Sequence, residues 1–207
     1  MSFVARDYQL ACVDSVWKHI EAGSKGTLCS LATGTGKTRI AGLLAQRMDS
    51  LLFIVDREEL AFQSQKILQE MTGRAVVLEC GSEYRAYRTN PQAKLVVAMS
   101  QSMIRRKEAY PADRFQFILE DECHHSVAAT RTKIRQHFSG ARATIGFSAT
   151  PKRADNKAAG LVYDTVAYEL SYLDAVDLGW LVPFKSRVLS CRDMDLREFS
   201  GAAEFNQ

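Results

Sequence analysis

Three short clusters in this sequence carry residues whose types and spacing could do chemistry. The first is Ala32-Thr33-Gly34-Thr35-Gly36-Lys37-Thr38. Glycines at 34 and 36 let backbone N–H groups turn inward around phosphate oxygens with no Cβ in the way. A helix opening at this point adds the positive end of its dipole. Lys37 is then placed to reach the β- and γ-phosphates of a nucleotide, and the Thr38 hydroxyl to ligate Mg²⁺. The pattern G-x-x-x-x-G-K-[ST] asks for glycine at position 31, where this chain has Leu31. A plain glycine-rich turn is the alternative, and the strand–loop–helix setting of Gly-x-Gly-Lys-Thr argues against it.

The second cluster is Glu120-Asp121-Glu122-Cys123-His124. An acid at a strand end beside a phosphate loop is where Mg²⁺ needs a carboxylate partner, which suits Asp121. Glu122 is placed to polarise an attacking water. Glu120 reads as solvent-facing or as tuning the local field. Cys123, His124 and His125 invite a zinc reading, but no second ligand pair stands at suitable spacing. The third cluster is Ser148-Ala149-Thr150.

Elements able to position these clusters are visible in the periodicity. Apolar runs at 27–31, 51–55, 75–78, 95–98, 115–119 and 143–147 alternate with amphipathic stretches such as 57–71 and 127–138. Nearly continuous apolar strands separated by helices predict a parallel sheet covered on both faces. Such folds bind ligands at the carboxyl ends of their strands, and the polar clusters fall just after the runs. Ahead of the sheet, Asp7 is a suitable N-cap for a helix with Leu10, Val13, Trp17 and Ile20 on its apolar face, closed by Gly23. An ordered pattern resumes over 161–189, and the tail beyond Arg192 turns charged and then polar.

The bulk numbers set the limits. A chain of 207 residues, 46% hydrophobic and 25% charged, holds one domain with a full core. Its net charge of +3 is compatible with a phosphate backbone as partner. Five scattered cysteines make no disulfide framework and point to a reducing compartment, cytoplasmic or nucleoid-associated. No apolar run approaches the roughly 20 residues that span a bilayer, so no membrane is expected.

The ordered set Arg6-Asp7-Tyr8-Gln9, ATGTGKT, Asp121-Glu122-Cys123-His124 and Ser148-Ala149-Thr150 resembles the superfamily 2 helicases and translocases. The likeness is greatest to the DEAH-type branch that includes the motor subunits of type I and type III restriction enzymes, where Met or Leu often replaces the first loop glycine. It covers Arg6 to about Val188. The resemblance implies an α/β, RecA-like P-loop NTPase domain over 1–190, with 191–207 as a tail or linker towards a second motor domain. It implies ATP and Mg²⁺ as cofactors. Lys37, Asp121 and Glu122 would be catalytic, and Thr38 and Asp121 would hold the metal. Arg6 and Gln9 would read adenine, while Thr33, Gly34, Thr35, Gly36, Lys37 and Thr38 would cradle the phosphates. His124, Ser148 and Thr150 would couple the nucleotide to the nucleic-acid face. Asp56, Arg57, Gln63 and Gln101 would lie along the nucleic-acid track, with Arg105-Arg106-Lys107 as further candidates.

The implied partners are nucleic acid, DNA before RNA, and a second RecA-like domain in cis or in trans carrying the arginine fingers. A P-loop ATPase acting without nucleic acid and a non-catalytic adaptor are the competing readings. The first has no reason to carry both Arg6–Gln9 and Ser-Ala-Thr; the second has no reason to keep Lys37, Asp121 and Glu122.

Overall fold

A computed structural model describes residues 4–123, 129–149 and 162–184. His124, His125, Thr150 and the expected tail at 191–207 lie outside them. Eight strands form one sheet: β1 (Gly26–Leu31), β2 (Leu51–Val55), β3 (Val76–Cys80), β4 (Tyr84–Arg85), β5 (Leu95–Met99), β6 (Phe117–Glu120), β7 (Ala143–Ser148) and β8 (Thr165–Leu170). Their spatial order is β4-β3-β5-β2-β6-β7-β1-β8. Every pairing is parallel except that of the two-residue β4 with β3 at one edge. The helices are α1 (Asp7–Glu21), α2 (Lys37–Gln46), α3 (Glu58–Thr72), α4 (Ala86–Thr89), α5 (Ser100–Arg106), α6 (Ala129–His137) and α7 (Tyr172–Asp177).

Both faces of the sheet are covered, as the unbroken apolar runs require. Leu51, Phe53 and Val55 of β2 enter one core with residues of α1, α2 and α3. Leu52 and Ile54 enter a second core with Met103 of α5, Ile134 of α6 and the adjoining Phe138. β5 divides in the same way, Leu95 and Val97 against Val96 and Ala98. Successive side chains on a strand point to opposite faces, so each run fills two cores at once. Leu31 is fully buried in the first core. The residue in place of the expected glycine thus ends β1 as a packing side chain.

Two local expectations change. Arg6, with an extended backbone, is the N-cap of α1, and Asp7 is its first helical residue. The Gln9 side-chain oxygen accepts the Arg6 N–H at 3.0 Å, and the Asp7 charge sits in the first turn, where the helix dipole favours it. Leu10 is 46% exposed, whereas Tyr8, Cys12, Val13, Val16, Trp17 and Ile20 are buried. The apolar stripe of α1 therefore runs beside Leu10 and not through it.

Candidate active site

The phosphate-loop residues join β1 to α2, with Gly34 (φ +89°) and Gly36 (φ +79°) in the left-handed region that favours glycine. Thr35 is fully buried, and its hydroxyl and N–H both donate to the Ala32 carbonyl, at 2.7 and 3.3 Å. The Thr35 carbonyl accepts from Tyr8 Oη at 2.5 Å and Gln9 Nε2 at 3.2 Å. Gln9 is 3% exposed, with its amide joining the loop to the Arg6 backbone. A Cβ on Gly36 would stand 3.0 Å from Gln9 Nε2, so α1 braces the loop at contact distance.

The turn after α7 closes on the same loop. Trp180 and Leu181 both donate their N–H groups to the Ala175 carbonyl, at 2.8 and 2.9 Å. The Trp180 ring lies 5.4 Å from that of Tyr8, and the Arg6 guanidinium lies 5.4 Å from the indole centroid. A Cβ on Gly34 would meet Leu181 Cδ2 at 3.3 Å. From sequence, 178–183 falls within the ordered pattern over 161–189, and the Trp-Leu pair after Gly179 is the local sign of this packing.

The acidic motif leaves β6 opposite the loop. Asp121 donates its N–H to the Ile54 carbonyl at 3.0 Å, tying the end of β6 to β2. Its Oδ1 is buried and has no hydrogen-bond partner among the described residues. Burial pushes the Asp121 carboxyl up, against the downward pull of Lys37. A buried carboxylate oxygen without a donor fits a site for a small divalent cation. Glu122 takes a left-handed backbone (φ +47°), uncommon for a side-chain-bearing residue. Its Oε1 lies 3.5 Å from Lys37 Nζ. Lys37, Asp121 and Glu122 therefore converge, with Thr38 next to Lys37 in the first turn of α2. Ser148 is buried at the end of β7, in register with Ser30 of β1.

Glu120 is not solvent-facing; its charge acts on the local field, adding to the burial that raises the Cys123 thiol. It is fully buried, accepting from Arg135 Nη1 and from Tyr163 Oη, each at 2.6 Å. Gly146 on the neighbouring β7 makes room for that ring, since a Cβ there would sit 2.5 Å from Tyr163 Cζ. Along the same carboxyl edge, Arg57 caps α3 and Gln101 opens α5, both exposed. The basic run after Gln101 is mostly committed: Arg106 pairs with the buried Glu79 and the Gly81 carbonyl, and Lys107 with Glu108. Arg105 remains exposed.

The family described as type III restriction enzyme, res subunit, matches residues 2–153. The chain belongs to that family. It is 34% identical over 200 residues to a Saccharomyces cerevisiae protein named as an ATP-dependent helicase, IRC3, across 88% of this chain and 28% of that protein. It is 27% identical over 195 residues to the Escherichia coli type I restriction enzyme EcoAI endonuclease subunit, across 87% of this chain and 23% of that subunit. Among solved structures, a nuclease-deletion mutant of the type ISP restriction-modification enzyme LlaGI, in complex with a DNA substrate mimic, matches with a TM-score of 0.65. The identity is 19%, over 86% of this chain and 21% of that one. The chain spans about a quarter of the length of the curated relatives it matches. It is a RecA-like domain of the first-motor type found in superfamily 2 helicases, and the sheet described above is that fold.

Proposed function

We propose that this chain binds ATP with Mg²⁺ over residues 33–38 and serves as the first motor domain of a larger DNA helicase or translocase. The observation that carries the reading is the convergence of Lys37, Glu122 and the unsatisfied Asp121 Oδ1 beside the loop. Lys37 neutralises the β- and γ-phosphates, while the loop N–H groups hold their oxygens. Thr38 and Asp121 hold the metal, which when bound screens the phosphate charge. Glu122 orients the attacking water and takes its proton.

Gln9 fixes the loop, and in this proposal its remaining N–H reads the adenine edge together with Arg6. Ser148, with Thr150 and His124, passes the change at the phosphates towards the nucleic-acid face. Arg57 and Gln101 contact sugar and phosphate, because a motor must step along any sequence. The LlaGI complex with a DNA substrate mimic supports DNA as the track. Arginine fingers come from a second RecA-like domain reached through 191–207, with 1–190 as one domain. No helix among the described residues is long and apolar enough to cross a membrane. The proposed site of action, cytoplasmic or at the nucleoid, rests on the reducing compartment read from the scattered cysteines.

Titration with a fluorescent adenine nucleotide and Mg²⁺ tests the site. Lys37→Ala is expected to abolish detectable binding. Binding equal to that of the parent would remove residues 33–38 from the role.

A further inference from the structure

One guanidinium ties together the three loops that this reading assigns to ATP and to DNA. Arg131 of α6 is 2% exposed. Its Nη1 donates to the Asp121 carbonyl and its Nη2 to Asp56 Oδ2, each at 2.7 Å. The other oxygen of Asp56 accepts from Ser100 Oγ at 2.9 Å. Asp121 belongs to the acidic motif, Asp56 immediately precedes Arg57, and Ser100 immediately precedes Gln101. The chain of bonds thus runs from the metal-side loop to the residue next to each candidate DNA contact.

Arg131 occupies a position where packing alone would favour an apolar side chain. With Ile134 and Phe138, both fully buried, it lies on the inward stripe at helical spacing. A buried ion pair is weak evidence for stability, since a hydrophobic replacement of similar volume is often neutral or stabilising. What a guanidinium adds is a rigid planar fork that holds two acceptors in fixed relation. Here those acceptors are a backbone carbonyl of the acidic motif and the carboxylate that precedes Arg57. Lysine offers a single ammonium on a flexible stem and does not reproduce the fork.

We infer that Arg131 is a positioning residue that keys the Arg57 and Gln101 loops to the acidic motif through Asp56 and Ser100. A shift of the Asp121 backbone on nucleotide turnover is transmitted to Asp56, and from there to both DNA-contacting loops. Through the same bonds, DNA seated on those loops sets the position of the acidic motif and so its turnover, while strict reciprocity is required of the ATP and DNA binding free energies. The inference rests on the function proposed above.

The test is steady-state ATP turnover by the full-length protein, with and without duplex DNA, for the parent, Arg131→Lys, Ser100→Ala and the double variant. The ratio of DNA-stimulated to DNA-free turnover is expected to fall about fivefold or more in each single variant, within the range of ordinary coupling energies. The KM for ATP should hold to within about twofold, because the phosphate loop is untouched. The double variant should be no worse than the worse single, since both break one path. Equal losses with and without DNA would show a purely structural role and overturn the proposal, as would a preserved ratio or effects that multiply. If Arg131→Lys lowers the melting midpoint too far to assay, Ser100→Ala alone carries the same readout. A parent that DNA does not stimulate overturns the functional reading and this inference together. A stimulated parent with fully stimulated variants overturns this inference alone.

Discussion

Lys37 Nζ and Glu122 Oε1 lie 3.5 Å apart, a pairing that brings residues 85 positions apart in sequence to one point on the sheet edge. The lysine that should neutralise phosphate and the acid that should activate water are within reach of the same group. Glutamine at position 122 keeps the size of the side chain but cannot accept a proton. Glu122→Gln should therefore hold its nucleotide affinity while turnover in the full-length protein falls about 10²- to 10⁴-fold, the usual worth of a general base. Steady-state hydrolysis and nucleotide titration, run side by side, separate the two effects. Parental turnover in the variant would remove Glu122 from the chemistry.

Asp121 offers a test of stability against function. Its folded-state carboxyl is raised, chiefly by burial, so the folded protein holds that proton more tightly than the unfolded chain does. Its stabilising contribution is present at acid pH and is lost as pH rises through the folded value, leaving a net cost at neutrality. Asp121→Asn removes the charge and should raise stability at pH 7, with the loss of function that such stabilising changes in active sites commonly bring. The gain should shrink as the pH falls into the carboxylate range, while Mg²⁺-dependent nucleotide binding weakens. Chemical denaturation at the two pH values checks the sign, and a variant less stable than its parent at pH 7 contradicts it.

Much of this site can be read from sequence because its geometry is local. Gly34, Gly36, Lys37 and Thr38 shape one loop, and the apolar runs place Asp121 and Ser148 at strand ends without reference to anything distant. The misreadings arise where a distant partner decides the outcome. Glu120, flanked by two further acids, looks solvent-facing until Arg135 and Tyr163 come to it from 15 and 43 residues away. Arg131 carries no local signal of its role, since its partner Asp56 lies 75 residues earlier. Arg106 reads as a surface cation beside Arg105 and Lys107, yet the buried Glu79 claims it. Periodicity marks the buried stripe of α6; it cannot say that a guanidinium will be satisfied there.

Gly146 is a glycine for want of space. A methyl group there would overlap the Tyr163 ring, with 2.5 Å to Cζ and 2.7 Å to Oη. Those are the atoms that reach Glu120. Gly146→Ala should cost about 1–3 kcal/mol, the range for overpacking a tight core. In a Tyr163→Ala background the clash disappears, so the same substitution should cost much less. Melting curves of the two single variants and the double variant measure that non-additivity. Strict additivity would show that Tyr163 does not set the requirement for glycine.

On the proposed nucleic-acid face, the described residues leave few cations uncommitted. Arg106 and Lys107 are paired with Glu79 and Glu108, while Arg57 stands exposed at the start of α3 beside Asp56. A cation that meets phosphate releases counterions, and each such contact contributes a slope of roughly −0.7 to −0.9 in log K against log salt. Arg57→Ala should therefore weaken oligonucleotide binding by the same factor on every sequence and flatten the slope by about one such contact. Arg106→Ala should act differently. It leaves the buried Glu79 without its cation, though still hydrogen-bonded by the Tyr110 hydroxyl, so its main effect is a loss of stability of up to about 3–5 kcal/mol, the usual cost of breaking a buried pair. Titrating single- and double-stranded oligonucleotides with the full-length variants across a range of salt separates the two behaviours. A salt slope unchanged in Arg57→Ala would take that residue off the track and leave Gln63, Gln101 and Arg105 among its remaining candidates.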